Sequence, residues 1–306
     1  MTHHLLDVES LGVGVAEKLM DRAEHWSNEL NSGKKIDRVL EGRVFFSLFF
    51  EESTRTRMSF ELAAKRLGAD TVNFAASASS LKKNETYYDT LANLAAMNPD
   101  GIILRHSEYN APRFAATIFK CPIINAGDSW RSHPTQALLD ALTIRQVKGK
   151  IAGLTVAICG DIAHSRVARS NYVLLTRLGA KVRIVAPPML MPQEKEFVNA
   201  ERCDTLEKGI EGADIIMMLR LQKERMQAGL IDSDGAYFKA YGLTPERLAL
   251  AKPDVYVMHP GPMNRGVEIS DEVADDPQKS LILKQTGLGV PVRMAVLEWA
   301  AASKQS

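Results

Sequence analysis

Short apolar runs alternate along this chain with longer amphipathic stretches. VFFSLFF at 44–50, GIIL at 101–104, PIIN at 122–125, LTVAIC at 154–159, VRIVA at 182–186, DIIMML at 214–219 and VYVM at 255–258 are bounded by polar or turn residues. Runs this short and nearly continuously apolar read as strands buried on both faces. Between them lie RMSFELAAKRLG (57–68), PTQALLDALTIRQVKG (134–149) and SRVARSNYVLLTRLG (165–179), whose apolar residues recur at helical spacing. Gly68 and Gly179 suit left-handed C-terminal caps, and Pro134 and Ser165 suit helix starts. Strand alternating with helix predicts an α/β fold of parallel sheets flanked by helices.

At 306 residues the chain has the length of two domains, each a parallel sheet flanked by helices. A single-domain barrel is also compatible with length alone. KGKIAG at 148–153, where a long helix should end and a fresh strand begin, is the best boundary, giving domains of 1–149 and 150–287. The final helical stretch, from about Pro291 to Ser303, is compatible with packing on either domain, and a return of about 288–306 to the first is expected. In such folds ligands gather outside the carboxyl ends of the strands, where loops lead into helix N-termini.

Composition narrows the function. The content is 45% hydrophobic and 25% charged, ordinary for a globular protein, and the formal net charge of +1 gives no general pull on nucleic acid or anionic membranes. Any anion specificity must therefore come from a local cluster. The N-terminal MTHHLLDVESL lacks the pattern of a signal peptide and no apolar run approaches membrane-spanning length, which makes a cytoplasmic enzyme the expectation. Cys121, Cys159 and Cys203 are too few and too scattered for a disulfide framework or zinc ligand set, and read as structural thiols. His3 and His4, near the terminus without a third ligand, read as solvated.

The candidate chemistry falls at strand ends. Ser53-Thr54-Arg55-Thr56-Arg57 lies between the strand VFFSLFF and the helix RMSFELAAKRL. A strand-loop-helix junction with hydroxyls and arginine offers free N–H groups, the positive end of the helix dipole and a bidentate guanidinium, a set that holds phosphate. From the residues alone, a helix cap beside a surface arginine pair is an equal alternative. Arg105-His106 ends the strand GIIL, and His133-Pro134-Thr135-Gln136 opens a long helix. His106 reads as a locally hydrogen-bonded loop histidine, and His133 alone is as readily a capping residue as a catalytic one.

FEESTRTRMSFELAAKRLGA resembles the carbamoyl phosphate loop of the aspartate and ornithine carbamoyltransferases, and the resemblance continues along nearly the whole chain. It implies that Ser53, Thr54, Arg55 and Thr56 bind the phosphate and that Arg105 bridges phosphate and carbonyl oxygens. HPTQ resembles the family's motif in which His133 donates to the carbamoyl oxygen and Gln136 holds the carbamoyl NH2. A donor aimed at developing oxyanion charge commonly contributes about 3–4 kcal/mol. SASSLKKNETYYDT (77–90) resembles the family's mobile loop, implying that Lys83, with Ser79 or Ser80, reaches the neighbouring subunit's site. The family usually reads Lys-Gly-Glu where this chain has Lys83-Asn84-Glu85, and asparagine tolerates positive φ better than most residues. Ser129-Trp130-Arg131-Ser132, ahead of HPTQ, is also unusual.

The second half resembles the family's acceptor domain. GDIAHSRVARSN (160–171) carries Arg166, implied to bind the aspartate α-carboxylate, and MMLRLQKERM (217–226) carries Arg220 and Gln222, implied to grip the side-chain carboxylate. Forked guanidiniums pair bidentately with carboxylates. VMHPGPMNRGVEI (257–269) resembles a turn whose carbonyls, at Pro260, Gly261 and Pro262, accept from the carbamoyl NH2 and the attacking amine. Ornithine carbamoyltransferases typically have Cys-Leu-Pro after this histidine, so Pro260-Gly261-Pro262 favours aspartate.

The resemblance thus implies carbamoyl transfer from carbamoyl phosphate to the amino group of L-aspartate, an early committed step of de novo pyrimidine (UMP) biosynthesis. The implied catalytic groups are Arg55, Arg105, His133 and Lys83. The two substrates bring about four negative charges, which arginines, a lysine, a histidine and a helix N-terminus suit without cofactor or metal. A homotrimer with shared sites is implied, together with possible assembly with regulatory or dihydroorotase chains. The competing readings are a transferase using another amine such as ornithine, and a catalytically weak homologue serving as a structural partner.

Overall fold

The computed structural model describes residues 2–33, 35–75, 85–222 and 233–302. Helix α1 (Val13–Asn31) buries Ala16, Leu19, Met20, Ala23 and Trp26, a stripe at three- and four-residue spacing. The chain continues through β1 (Val44–Phe49), α2 (Thr54–Arg66), β2 (Asp70–Ala75), α3 (Tyr87–Ala96), β3 (Gly101–His106), the short α4 (Ala111–Ala115), β4 (Ile123–Asp128) and α5 (Pro134–Lys148). The four strands pair in parallel in the order β2-β1-β3-β4. Phe46, Leu48, Ile102, Leu104 and Ile123 form one core with Leu91 and Phe119. Each such side chain contributes about 1.5–3 kcal/mol when fully buried.

The second sheet is built from β5 (Thr155–Cys159), α6 (Arg166–Arg177), β6 (Lys181–Val185), β7 (Glu201–Cys203), α7 (Leu206–Ile210), β8 (Ile215–Met218), α8 (Asp234–Tyr241), α9 (Pro245–Leu248) and β9 (Tyr256–Met258). Helices α10 (Asp271–Ala274) and α11 (Ile282–Ala301) follow. Its strands are parallel in the order β7-β6-β5-β8-β9. By contacts, the chain divides into one unit of residues 1–139 with 288–306 and another of 140–287. It passes from one to the other inside α5 and α11.

All seven apolar runs are strands, and Gly68 and Gly179 adopt φ of 86° and 87° at helix ends as expected. Two strands carried no such run. β2 and β7 are outer strands with mostly half-exposed or exposed side chains, so neither needs a continuous apolar sequence. The other two edges are covered: Leu5 pairs with β4 through bonds to Ile123 and Asn125, and residues 279–281 bond Val257 of β9.

The final helix begins at Ile282 rather than near Pro291, which lies inside it. The proline removes one helical hydrogen bond, yet Ile282, Gln285, Leu288 and Val292 are all buried, and packing overrides the local preference. The N-terminal histidines are half-buried and bonded rather than freely solvated. His3 stacks on Trp299, and the His4 ring accepts from the Ile123 N–H. The strand-like Leu5 pairing holds them down. The three cysteines are buried and free. Burial pushes the Cys121 thiol up to about 12 and raises Cys159 and Cys203 as well.

Gly160, directly after β5, has φ of 128°, and a Cβ there would lie 2.4 Å from the Leu219 carbonyl oxygen at the end of β8. Gly160→Ala should therefore destabilise the fold by about 2 kcal/mol or more through combined strain and overpacking. Urea unfolding measures this, and an unchanged midpoint would contradict the close approach of the two strand ends.

Candidate active site

A parallel sheet sends every strand's carboxyl end to the same edge, and the motifs lie along those edges. In the first unit, β1 feeds the loop to Ser53, β3 ends in Arg105 and β4 leads to His133. The register pairs Phe49 with Arg105 and His106 with Asp128, so these ends are neighbours. The chain moves from β1 outward to β2 and then back past β1 to β3, making β1/β3 the switch point where the loops diverge and leave a crevice. The STRTR loop and Arg105 flank it.

Ser53 is the N-cap of α2 in extended conformation, but its side chain makes no capping bond. Thr54 and Arg55 are exposed and Thr56 is buried on the first turn. The junction therefore combines a helix N-terminus with an exposed guanidinium, the requirements for an oxyanion. Arg105 is buried; its guanidinium bonds Glu51 Oε1 at 2.8 Å and the Ala126 carbonyl at 3.3 Å, which hold it at the strand end. Glu51 was not a candidate by sequence, because a carboxylate beside a phosphate loop has no role until Arg105 is seen across from it.

His133 is buried immediately before α5, its carbonyl accepting from the Gln136 and Ala137 N–H groups, while the Gln136 side chain is half-buried. The unusual Ser129–Ser132 stretch closes a tight turn: Ser132 and Asp128 exchange backbone bonds, and Ser129 takes φ of 41° and donates to the His106 carbonyl. Arg131 bonds the Tyr109 hydroxyl and pairs with Asp7, and Trp130 stacks on Tyr109. The turn thus fixes how His133 enters the helix. The His106 ring accepts from the Glu108 N–H at 2.9 Å and packs against Phe50 and Tyr87. Burial lowers its pKa against the opposing pull of Glu108 and Glu51. His106 is a locally bonded structural histidine. Lys83, Ser79, Ser80 and Asn84 lie outside the described residues.

In the second unit the switch point is β5/β8, since the chain runs outward to β6 and β7 before returning beside β5. The loop after β5 leads to Arg166, the first residue of α6 and buried; the segment after β8 carries Arg220 and Gln222, both half-buried. Asp161, fully buried, joins the two loops. It accepts from the His164 N–H and ring Nδ1 and from the Gln222 N–H, and the Gln222 amide donates to the His164 carbonyl at 3.0 Å. Arg169, by contrast, is taken up by Glu196 at 2.7 Å. After β9, His259-Pro260-Gly261-Pro262 turns away from the sheet with a cis Gly261–Pro262 peptide and φ of 67° at Gly261. Asp161 and His164 were not singled out by sequence, although the GDIAH string containing them was.

Among the described residues no cluster of histidine, cysteine and carboxylate side chains suits a metal ion, and no helix is long and apolar enough to cross a membrane.

Comparison with known proteins agrees along the whole length. Residues 3–146 match the family "Aspartate/ornithine carbamoyltransferase, carbamoyl-P binding domain", and residues 152–300 match "Aspartate/ornithine carbamoyltransferase, Asp/Orn binding domain". The chain is 52% identical over 301 residues to the aspartate carbamoyltransferase catalytic subunit of Granulibacter bethesdensis, covering 98% of this chain and 95% of that one. It resembles the crystal structure of Trypanosoma cruzi aspartate transcarbamoylase in complex with carbamoyl phosphate and aspartate, at TM-score 0.88 and 35% identity over 97% of this chain and 96% of the other. It also resembles ornithine carbamoyltransferase from Pyrococcus furiosus, at TM-score 0.87 and 29% identity over 97% and 96%.

The Asp161 joint makes a direct prediction. Asp161→Ala removes the shared acceptor, and because a bond to a charged group contributes about 1.5–3 kcal/mol, amide exchange at His164 and Gln222 should accelerate by roughly tenfold or more. Hydrogen exchange by NMR reads this, and unchanged protection at both amides would refute the coupling.

Proposed function

This chain belongs to the aspartate/ornithine carbamoyltransferase family, and we infer that it transfers the carbamoyl group of carbamoyl phosphate to the amino group of L-aspartate. The products are N-carbamoyl-L-aspartate and phosphate, placing the reaction in de novo pyrimidine biosynthesis. The observation that carries the acceptor choice is the β5/β8 edge, where Arg166 and Arg220 follow adjacent strands whose loops are tied through Asp161 and Gln222. Guanidiniums there suit the two carboxylates of aspartate and oppose the cationic side chain of ornithine.

In this reading Ser53, Thr54, Arg55 and Thr56 hold the phosphate at the start of α2, and Arg105, braced by Glu51, spans phosphate and carbonyl oxygens. His133 donates to the carbamoyl oxygen as negative charge develops there, and Gln136 holds the carbamoyl NH2. The carbonyls of the Pro260–Pro262 turn accept from the carbamoyl NH2 and the incoming amine. The amine attacks the carbamoyl carbon, a tetrahedral intermediate forms, and the C–O bond to phosphate breaks with its electron pair. The leaving phosphate takes the amine's proton. Positioning and charge stabilisation supply the acceleration.

The same reading includes a homotrimer in which Lys83 serves a neighbour's site. Its support is exposed apolar surface: Met58 and Leu62, one turn apart on α2, and Val72 on the outer strand β2 are all exposed. Three buried, free thiols fit the reducing conditions of a cytoplasmic location.

Purified protein given carbamoyl phosphate with either aspartate or ornithine should turn over only aspartate. In the same assay Arg220→Ala should raise the aspartate KM by roughly a hundredfold, the loss of one charge-assisted pair, while leaving the carbamoyl phosphate KM within a few-fold. Turnover of ornithine, or equal effects on both substrates, would refute the acceptor assignment. For the shared site, mixing inactive Lys83→Ala and Arg55→Ala trimers under exchange conditions should restore part of the activity through hybrid sites. No recovery despite demonstrated exchange would overturn it.

A further inference from the structure

A chain of buried polar side chains runs through the second unit and ends on the Pro260–Pro262 turn. The Gly261 N–H donates to His259 Nδ1 at 2.9 Å, so that nitrogen holds a lone pair and the ring proton must sit on Nε2. Nε2 in turn lies 3.0 Å from Glu268 Oε1, which also accepts from the Asn264 N–H at 2.6 Å. One carboxylate oxygen thus pins both ends of the 259–264 turn.

The strand side of the turn is held separately. The His259 N–H donates to Gln285 Oε1 at 2.8 Å, while Gln285 Nε2 donates to Asp140 Oδ1 at 2.8 Å. An ionised carboxylate only accepts, so Asp140 dictates which way the Gln285 amide faces and thereby aims its oxygen at His259. Asp140 Oδ2 accepts from Asn171 Nδ2 at 2.7 Å, and Asn171 lies on α6, the helix that Arg166 opens. Asn171, Asp140, Gln285, His259 and Glu268 are each at most 2% exposed. Apolar side chains of similar volume would fill this space with equal or greater stability. What the polar chain adds is direction, because a buried bond made at the wrong angle leaves its groups unsatisfied at about 1–3 kcal/mol each.

We propose that Glu268 and Gln285 are positioning residues for carbamoyl transfer, acting through His259 to fix the turn whose carbonyls orient the attacking amine, and linking that turn to the helix bearing Arg166. This rests on the function inferred above. Neither residue touches substrate. Their removal should therefore lower kcat more than it weakens carbamoyl phosphate binding, which the residues at the start of α2 and Arg105 mainly carry.

The test compares Glu268→Ala, Glu268→Gln and Gln285→Met with the parent protein in steady-state assays, in binding of carbamoyl phosphate, and in thermal unfolding. Glu268→Ala should lower kcat by about tenfold to a hundredfold, the scale of a small misplacement of a reacting group, with carbamoyl phosphate binding weakened by no more than about fivefold, the scale of one neutral hydrogen bond to the carbamoyl NH2. Glu268→Gln keeps the accepting oxygen and should restore kcat to within about threefold of the parent. If Glu268→Ala does not fold, Gln285→Met carries the same expectation at nearly unchanged volume. Parent-like kcat in the folded variants with only a lower Tm, or Glu268→Gln no better than Glu268→Ala, would overturn the proposal. Parent protein that fails to carbamoylate aspartate would overturn the proposed function instead.

Discussion

Parallel pairing is the constraint on which the rest of this structure depends. Strands that run the same way must return through crossovers, so their carboxyl ends share one edge and every loop leading to a helix N-terminus opens there. In the first unit that edge gathers the STRTR junction, Arg105 and the turn into His133, with β1/β3 as the switch point. In the second it gathers the loops carrying Arg166, Arg220 and the His259–Pro262 turn, with β5/β8 as the switch point. Within each unit, motifs as far as 80 residues (Ser53 to His133) or 96 residues (Arg166 to Pro262) apart in a nearly neutral chain come to lie along one edge.

Local braces convert that placement into orientation. Glu51 and the Ala126 carbonyl hold Arg105; Asp161 ties His164 to Gln222; Glu268 and Gln285 hold His259. Each brace is buried or half-buried, where a bond is stronger and a missed bond costs more than in water. A site for two polyanionic substrates needs such control, because an arginine without a fixed direction attracts anions without orienting them. Glu51 also offsets the positive charge of Arg105 before substrate arrives.

The parts of this organisation differ in how far they can be read in advance. Central strands are apolar on both faces, so their runs mark them, whereas the outer strands β2 and β7 interleave polar residues with apolar ones and leave no run. Helix α1 has a stripe of only five buried residues among charged neighbours, a weaker signal than a core strand. Pro291 has the look of a helix start, but buried positions on both sides of it keep α11 continuous. The candidate site follows the same logic. STRTR, HPTQ and the arginines are dense local strings, while Glu51, Asp161 and Glu268 acquire meaning only opposite partners 54, 61 and 9 residues away.

By itself the sequence determined the alternation of strand and helix, the parallel class of the sheets and the motif strings at their ends, because burial on both faces and helix starts leave local patterns of residue type. Tertiary structure alone decided the strand order and hence the two switch points, since crossovers of similar length permit several orders. It also decided the packing of the N-terminal histidines, the continuity of the last helix, and which carboxylates and amides brace the functional groups. Those depend on hydrogen bonds between segments distant in sequence, whose partners are chosen by three-dimensional proximity and not by neighbouring residues.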